Sequence, residues 1–202
     1  MIHKRQTLQR LAAASLFVAS SLLGGCFESK PTFNAVDVTG ADYAKGFELN
    51  DHNGKLRHLT DFSGKVVVMF FGYTQCPDVC PTTMADMAEV KKALGSDGDK
   101  LQVLFVSVDP ERDTPELLKA YMENFDPSFL ALSAPPKKLD EVAKDFKVYY
   151  KKVEGKTPTS YSMDHSAGSY IYDPKGQLRL FSRYGSPKEA VIKDIQALLK
   201  GA

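Results

Sequence analysis

The chain has 202 residues, 43% hydrophobic and 25% charged, with 26 Lys+Arg against 25 Asp+Glu and 3 Cys. The apolar content is ample for a core, which fits one α/β domain and excludes a largely disordered chain. Balanced charge leaves no basic footprint for nucleic acid, and so few cysteines exclude a disulfide-stapled mini-fold.

The chain opens as a targeting segment. Lys4, Arg5 and Arg10 form a positive region ahead of the apolar stretch Leu11 to Leu23. That stretch falls short of the roughly 20 residues a membrane-spanning helix needs and fits the core of a secretory signal. It ends Leu22-Leu23-Gly24-Gly25-Cys26, which resembles a bacterial lipobox and implies cleavage before Cys26 and lipidation of its sulfur. Phe27 follows, so the residue after the cysteine is not the Asp that would point to inner-membrane retention. Cleavage removes three cations and no acids, leaving 23 Lys+Arg against 25 Asp+Glu. The expected location is the bacterial cell envelope, lipid-anchored to a membrane and facing the periplasm, where thiols can be oxidised. With Cys26 committed to lipid, one pair of thiols remains.

Residues 26–45 read as a lipid-anchored tether and lead-in, and 46–202 as one domain. Phe47–Asn50 and Lys55–Leu59 flank Asn53-Gly54, a strong hairpin signal. Val66 to Phe71 is a continuous apolar run, the pattern of a strand covered on both faces. A helix follows over 81–94, then a strand over Leu101–Val108. Thr114-Pro115-Glu116 opens another helix, with a cap residue and a first-turn proline. Apolar runs at Phe129–Leu132 and Val148–Tyr150 bracket an amphipathic helix over Lys138–Phe146. Ser169–Tyr172, a Pro174-Lys175-Gly176 turn and Leu178–Ser182 form a last hairpin, before a helix over Pro187–Leu199. Strands alternating with helices predict a mostly parallel central sheet, with that hairpin as its antiparallel edge.

The chemistry concentrates between the buried strand and the next helix, in Gly72-Tyr73-Thr74-Gln75-Cys76-Pro77-Asp78-Val79-Cys80-Pro81. Ligands of open α/β sheets gather at the carboxyl ends of strands. Pro81 at the first helical position makes Cys80 the cap, and a helix N-terminus favours the thiolate. A structural disulfide across so small a ring contributes only about 2 kcal/mol. Two readings stay open: a redox pair cycling through a disulfide, and a metal site, since two soft thiolates favour Cu(I) or Zn. The metal reading needs a third ligand. Among four histidines, His3 leaves with the signal, while His52 and His58 belong to the hairpin. His165 precedes the strand at Ser169; on position alone, ligand and hydrogen-bonded loop residue are equal readings. Met84, Met87 and Met163 read as core before thioether ligands. Arg112 reads as organising its loop through Asp109 or Asp113, and Glu154 to Met163 as a mobile flap.

The cysteine segment, Val106-Ser107-Val108-Asp109-Pro110-Glu111-Arg112-Asp113-Thr114, and Asp164-His165-Ser166 with Tyr172-Asp173-Pro174 closely resemble the Sco/SenC/PrrC family. The resemblance covers residues 35–200. It implies a thioredoxin-like α/β fold, a central mixed sheet flanked by helices, with an added N-terminal β-hairpin. It implies copper, as Cu(I) or Cu(II), bound by Cys76, Cys80 and His165, with Asp78 and Asp164 as acids beside the ligands. The implied role is assembly of the binuclear copper centre of cytochrome c oxidase, by delivering copper, by reducing the target's cysteines through Cys76 and Cys80, or both. The implied partners are the copper-binding subunit of the oxidase, a periplasmic thiol reductase and a copper donor. Thioredoxins proper carry a proline where this chain has His165, which shifts weight from redox catalysis toward metal binding. Thiol peroxidases place a threonine three positions before the reactive cysteine; here Tyr73 stands there, and Thr74 is one position late.

Overall fold

The computed structural model describes residues 32–157 and 160–202. The signal, the lipobox with Cys26, the start of the tether and Pro158 of the expected flap lie outside them. Among the described residues no helix is long and apolar enough to cross a membrane.

The strands are β1 (Val36–Asp37), β2 (Glu48–Asp51), β3 (Leu56–His58), β4 (Val66–Gly72), β5 (Leu101–Ser107), β6 (Leu130–Ser133), β7 (Tyr150–Val153), β8 (Ser162–His165), β9 (Ser169–Tyr172) and β10 (Leu178–Ser182). The helices are α1 (Val79–Ala93), α2 (Pro115–Glu123), α3 (Pro136–Asp145) and α4 (Lys188–Leu199). Among the described residues eight strands form one sheet in the order β1-β10-β9-β4-β5-β6-β2-β3, while β7 and β8 pair only with each other. The centre, β4-β5-β6, is parallel. β9 runs antiparallel to β4, and β2 runs antiparallel to β6. α1 packs against α4, and α2 against β6.

Every residue of β4 and β5 is buried, as two strands at the middle of a covered sheet must be. Thr114 caps α2 by accepting from Leu117 N at 3.3 Å, with Pro115 first in the helix. In the β2–β3 hairpin, Asp51 Oδ1 accepts from Asn53 N at 2.8 Å and Lys55 N at 3.0 Å, and Gly54 supplies φ +79°. The hairpin joins the sheet through β6, where His52 Nδ1 accepts from Ala131 N at 3.1 Å.

Two expectations need correction: the sheet is mixed rather than mostly parallel, since only β4–β5 and β5–β6 pair parallel among the described strands, and its edge lies elsewhere. The last hairpin is not the sheet's edge, because β1 pairs antiparallel with β10 and takes that place. The described part of the lead-in, residues 32–45, is held against the domain. Asp194, buried on α4, accepts from Asn34 N at 2.9 Å and Ala35 N at 2.8 Å, and Ala44 is fully buried. An inward carboxylate on the last helix thus fastens the chain's approach to the domain.

Candidate metal centre

β4 ends at Gly72 for a steric reason. A Cβ there would lie 2.8 Å from Cys80 Sγ, 2.8 Å from the Phe105 ring and 2.9 Å from the Phe70 ring. The missing side chain is the space that the Cys80 sulfur occupies. Beyond Gly72 the chain turns through Tyr73 to Pro77 into α1. Thr74 Oγ1 donates to Asp113 Oδ1 at 2.5 Å, and Ser107 Oγ donates to Asp113 Oδ2 at 2.6 Å. Asp113 therefore ties the cysteine turn to the end of β5, although burial pushes its carboxyl above the ordinary value despite those two donors.

Asp78, not Cys80, stands at the cap position of α1, and Pro81 is its third residue. Cys80 thus lies inside the first turn, fully buried, and its N–H donates to Cys76 Sγ at 3.4 Å. That bond satisfies one of the donors a helix start leaves open. Cys76 is only half-buried, and both cysteines are free thiols. The expected easing of Cys80 toward thiolate is overturned. Burial, joined by the hydrogen bond with Cys76, pushes its thiol well up, and the Tyr73 backbone donor does not offset it.

The imidazole of His165 arrives from the end of β8. Alternation along that strand buries Met163 and turns Ser162 and Asp164 outward, with His165 half-buried. His165 Nδ1 lies 3.0 Å from Ser166 O and Nε2 lies 3.4 Å from Cys80 Sγ. A carbonyl only accepts, so it fixes the proton on Nδ1 and leaves the Nε2 lone pair toward the sulfur. Burial lowers the imidazole pKa, against the smaller opposing effects of the Ser166 carbonyl and the Asp164 charge. The neutral ring, the form that can ligate, is favoured. Phe70 and Tyr73 set their rings edge-on to it, each with centroids 5.9 Å away at 86° and 88°. The two sulfurs and a ring nitrogen all lie within 4.8 Å of one another.

The sequence-predicted acids lie differently from the three central residues. Asp78 is exposed and accepts from Thr82 Oγ1 at 3.3 Å. Asp164 is exposed and stands opposite Lys151 in the β7–β8 register. Neither is hydrogen-bonded to a sulfur or to the imidazole. The groups that do touch the site are Gly72, Phe70, Tyr73 and the Ser166 carbonyl; Gly72, Tyr73 and Ser166 lie within the motifs quoted above, but the sequence assigns them no role. Met84, Met87 and Met163 are core residues, and His52 and His58 stay with the hairpin. Arg112 does organise its loop, with Nε 2.5 Å from Asp109 Oδ2. It also reaches Gln75 Oε1 at 3.1 Å and Tyr161 O at 2.8 Å. The expected flap, Glu154 to Met163, overlaps the first two residues of β8, so its end is strand.

Comparison with known proteins agrees with this geometry. A SCO2-like protein of Rickettsia felis is 36% identical over 157 residues, spanning 77% of this chain and 74% of the relative. The structure of Bradyrhizobium japonicum ScoI with copper bound is 40% identical with a TM-score of 0.69, covering 76% of this chain and 97% of that one. A SCO1/SenC family lipoprotein from Bacillus anthracis is 29% identical with a TM-score of 0.65, covering 76% of this chain and 92% of that one. These neighbours share the thioredoxin-like arrangement. The SCO1/SenC family pattern itself matches residues 36–200, from β1 to the end of α4, and this chain belongs to that family.

Proposed function

We propose that the protein is a copper chaperone that holds its cargo between Cys76, Cys80 and His165 and helps assemble the binuclear copper centre of cytochrome c oxidase. The observation that carries this reading is the convergence of two sulfurs and an imidazole nitrogen within 4.8 Å, from positions far apart in sequence. The donor set fits the metal: soft thiolates select Cu(I), and a neutral imidazole suits copper. The relative with copper bound supports the same choice.

The residues divide the work. Ser166 O keeps the proton on Nδ1, so that Nε2 is the ligating atom. Cys80 carries a proton in the free protein and must lose it to ligate, so loading releases protons and strengthens as pH rises. Cys76, half-buried, is the sulfur an incoming acceptor thiol reaches first, and transfer proceeds by exchange of ligands at that rim.

The same asymmetry favours a second reading, a thiol–disulfide oxidoreductase that reduces the acceptor's cysteines. An accessible Cys76 attacks, and the buried Cys80 resolves the mixed disulfide, with both thiols of the protein oxidised as the acceptor disulfide is reduced. A periplasmic thiol reductase would then restore the pair. We also assign residues 1–25 to a lipoprotein signal and Cys26 to the lipid anchor, which puts the domain in the bacterial envelope facing the periplasm; the lipoprotein relative supports this.

The deciding experiment mixes the reduced, copper-loaded protein with the apo copper-binding domain of an oxidase and counts metal and thiols on both. The chaperone reading predicts that copper moves while thiol counts hold. Thiols gained by the acceptor and lost by this protein, with copper left behind, would contradict it.

A further inference from the structure

We propose that Arg112 is the positioning residue for the third ligand: it clasps the strand pair that carries His165 against the turn that carries Cys76. This inference rests on the copper-site reading above and extends it to a residue outside the donor set. The two halves of the site have different supports. Cys76 sits in the turn between β4 and α1 and Cys80 in the first turn of α1, both at the end of a main-sheet strand. His165 ends β8, whose only strand partner among the described residues is β7, so no described ladder of the main sheet fixes the imidazole's approach.

Arg112 bridges that gap. Its Nη1 donates to Gln75 Oε1 at 3.1 Å, beside Cys76, and to Tyr161 O at 2.8 Å, immediately before β8. The guanidinium lies 3.5 Å over the Tyr161 ring and 5.8 Å from the Tyr73 ring, which itself abuts His165. Asp109 closes the clasp by taking Arg112 Nε at 2.5 Å through one oxygen and the Tyr161 hydroxyl at 2.7 Å through the other. Lys152 covers the same tyrosine ring at 3.9 Å. A second cation thus holds Tyr161 from the ribbon's own side. Arg112 Nη2 is buried with no partner, so the guanidinium is placed by its reach to three segments and not by satisfaction of all its donors. Lysine cannot replace it, because an ammonium has neither the planar fork nor the stacking face.

The test is a double-mutant cycle on copper affinity, measured by competition with a chelator. Arg112→Ala is expected to weaken binding about 10- to 100-fold, the range for groups that orient a ligand. His165→Ala is expected to weaken it at least as much, and the double variant no further than His165→Ala alone. The imidazole nitrogen coupling in the electron paramagnetic resonance spectrum of the Cu(II) form should weaken in Arg112→Ala while the reactivity of both thiols is retained. If Arg112→Ala proves too unstable to load, Arg112→Lys and Tyr161→Leu carry the same non-additivity prediction at smaller size. Unchanged affinity, or losses that add in the double variant, would overturn the role assigned to Arg112. An unchanged affinity in His165→Ala would instead overturn the copper-site reading beneath it.

Discussion

The two sources of the site are built in opposite ways. The cysteine turn is embedded: β4 below it is wholly buried, Cys80 is at zero exposure, and Asp113 pins Thr74 from behind. The imidazole stands on a two-stranded ribbon outside the main sheet, fastened by side chains. Dispersion contacts and ladder hydrogen bonds fix the first; a stacked cation, a carboxylate and two aromatic edges fix the second. A site assembled this way can keep its sulfurs in place while the third ligand is adjusted, which suits the proposed role of holding and surrendering a metal.

Breaking the embedded half should have the largest effect. Cys76→Ser or Cys80→Ser replaces a soft sulfur by a hard oxygen, and copper affinity should fall by more than about a thousandfold, or ~4 kcal/mol. Competition titration of each variant checks this. Losing the ribbon's contribution should cost less: His165→Ala should weaken binding about a hundredfold while both thiols remain titratable with a disulfide reagent. Between these two numbers lies the relative weight of the two supports.

Packing under the sulfur sharpens the contrast further. Gly72→Ala puts a methyl 2.8 Å from both Cys80 Sγ and the Phe105 ring, and overpacking of this kind costs about 1–3 kcal/mol. For a domain of this size that lowers Tm by about 2–4 °C per kcal/mol, readable by calorimetry. Its Cys80 should also bind copper more weakly. An equivalent small change on the ribbon surface, such as Ser162→Ala, should leave both readings alone.

The smallest effect lies far from the site. Burial alone would raise the Asp51 carboxyl, but Arg57 at 2.8 Å and the Lys55 and Asn53 amides outweigh it, and its pKa falls below the ordinary 3.8. An acid held low in the folded state stabilises fully above pH 3.8 and loses that contribution as pH falls through the folded value. Asp51→Asn should therefore flatten the acid side of the stability curve without changing copper affinity. Urea melts from neutral pH down to pH 3 would show it.

The fold was legible wherever the sequence carries a period or a turn signal. The apolar run of β4, the Asn53-Gly54 hairpin and the Thr114-Pro115 helix start are local patterns, and each element formed within a few residues of its expected bounds. β1 was not legible, because two exposed residues have no period; its place depends on pairing with β10 and on Asp194 at the other end of the chain. The segment Glu154 to Met163 reads as a flap because it is polar and carries Gly155 and Pro158, whereas its end is held through the ring, hydroxyl and carbonyl of Tyr161. Of the site, Cys76 and Cys80 announced themselves by chemistry, and His165 by resemblance more than by position. Gly72 was invisible as a site residue, since only the coordinates show whose sulfur fills its space. The helix starts earlier than expected, with Asp78 rather than Cys80 at its cap, because sequence shows a helix start but not how deeply its first turn is buried.

The most direct test is X-ray absorption at the copper edge on the reduced, loaded protein, with wild type and His165→Ala side by side. The account predicts two sulfur scatterers and one imidazole in the wild type, and loss of the imidazole alone in the variant. An identical nitrogen contribution in both would show that the ring from β8 is not on the metal, and the three-ligand site would be contradicted.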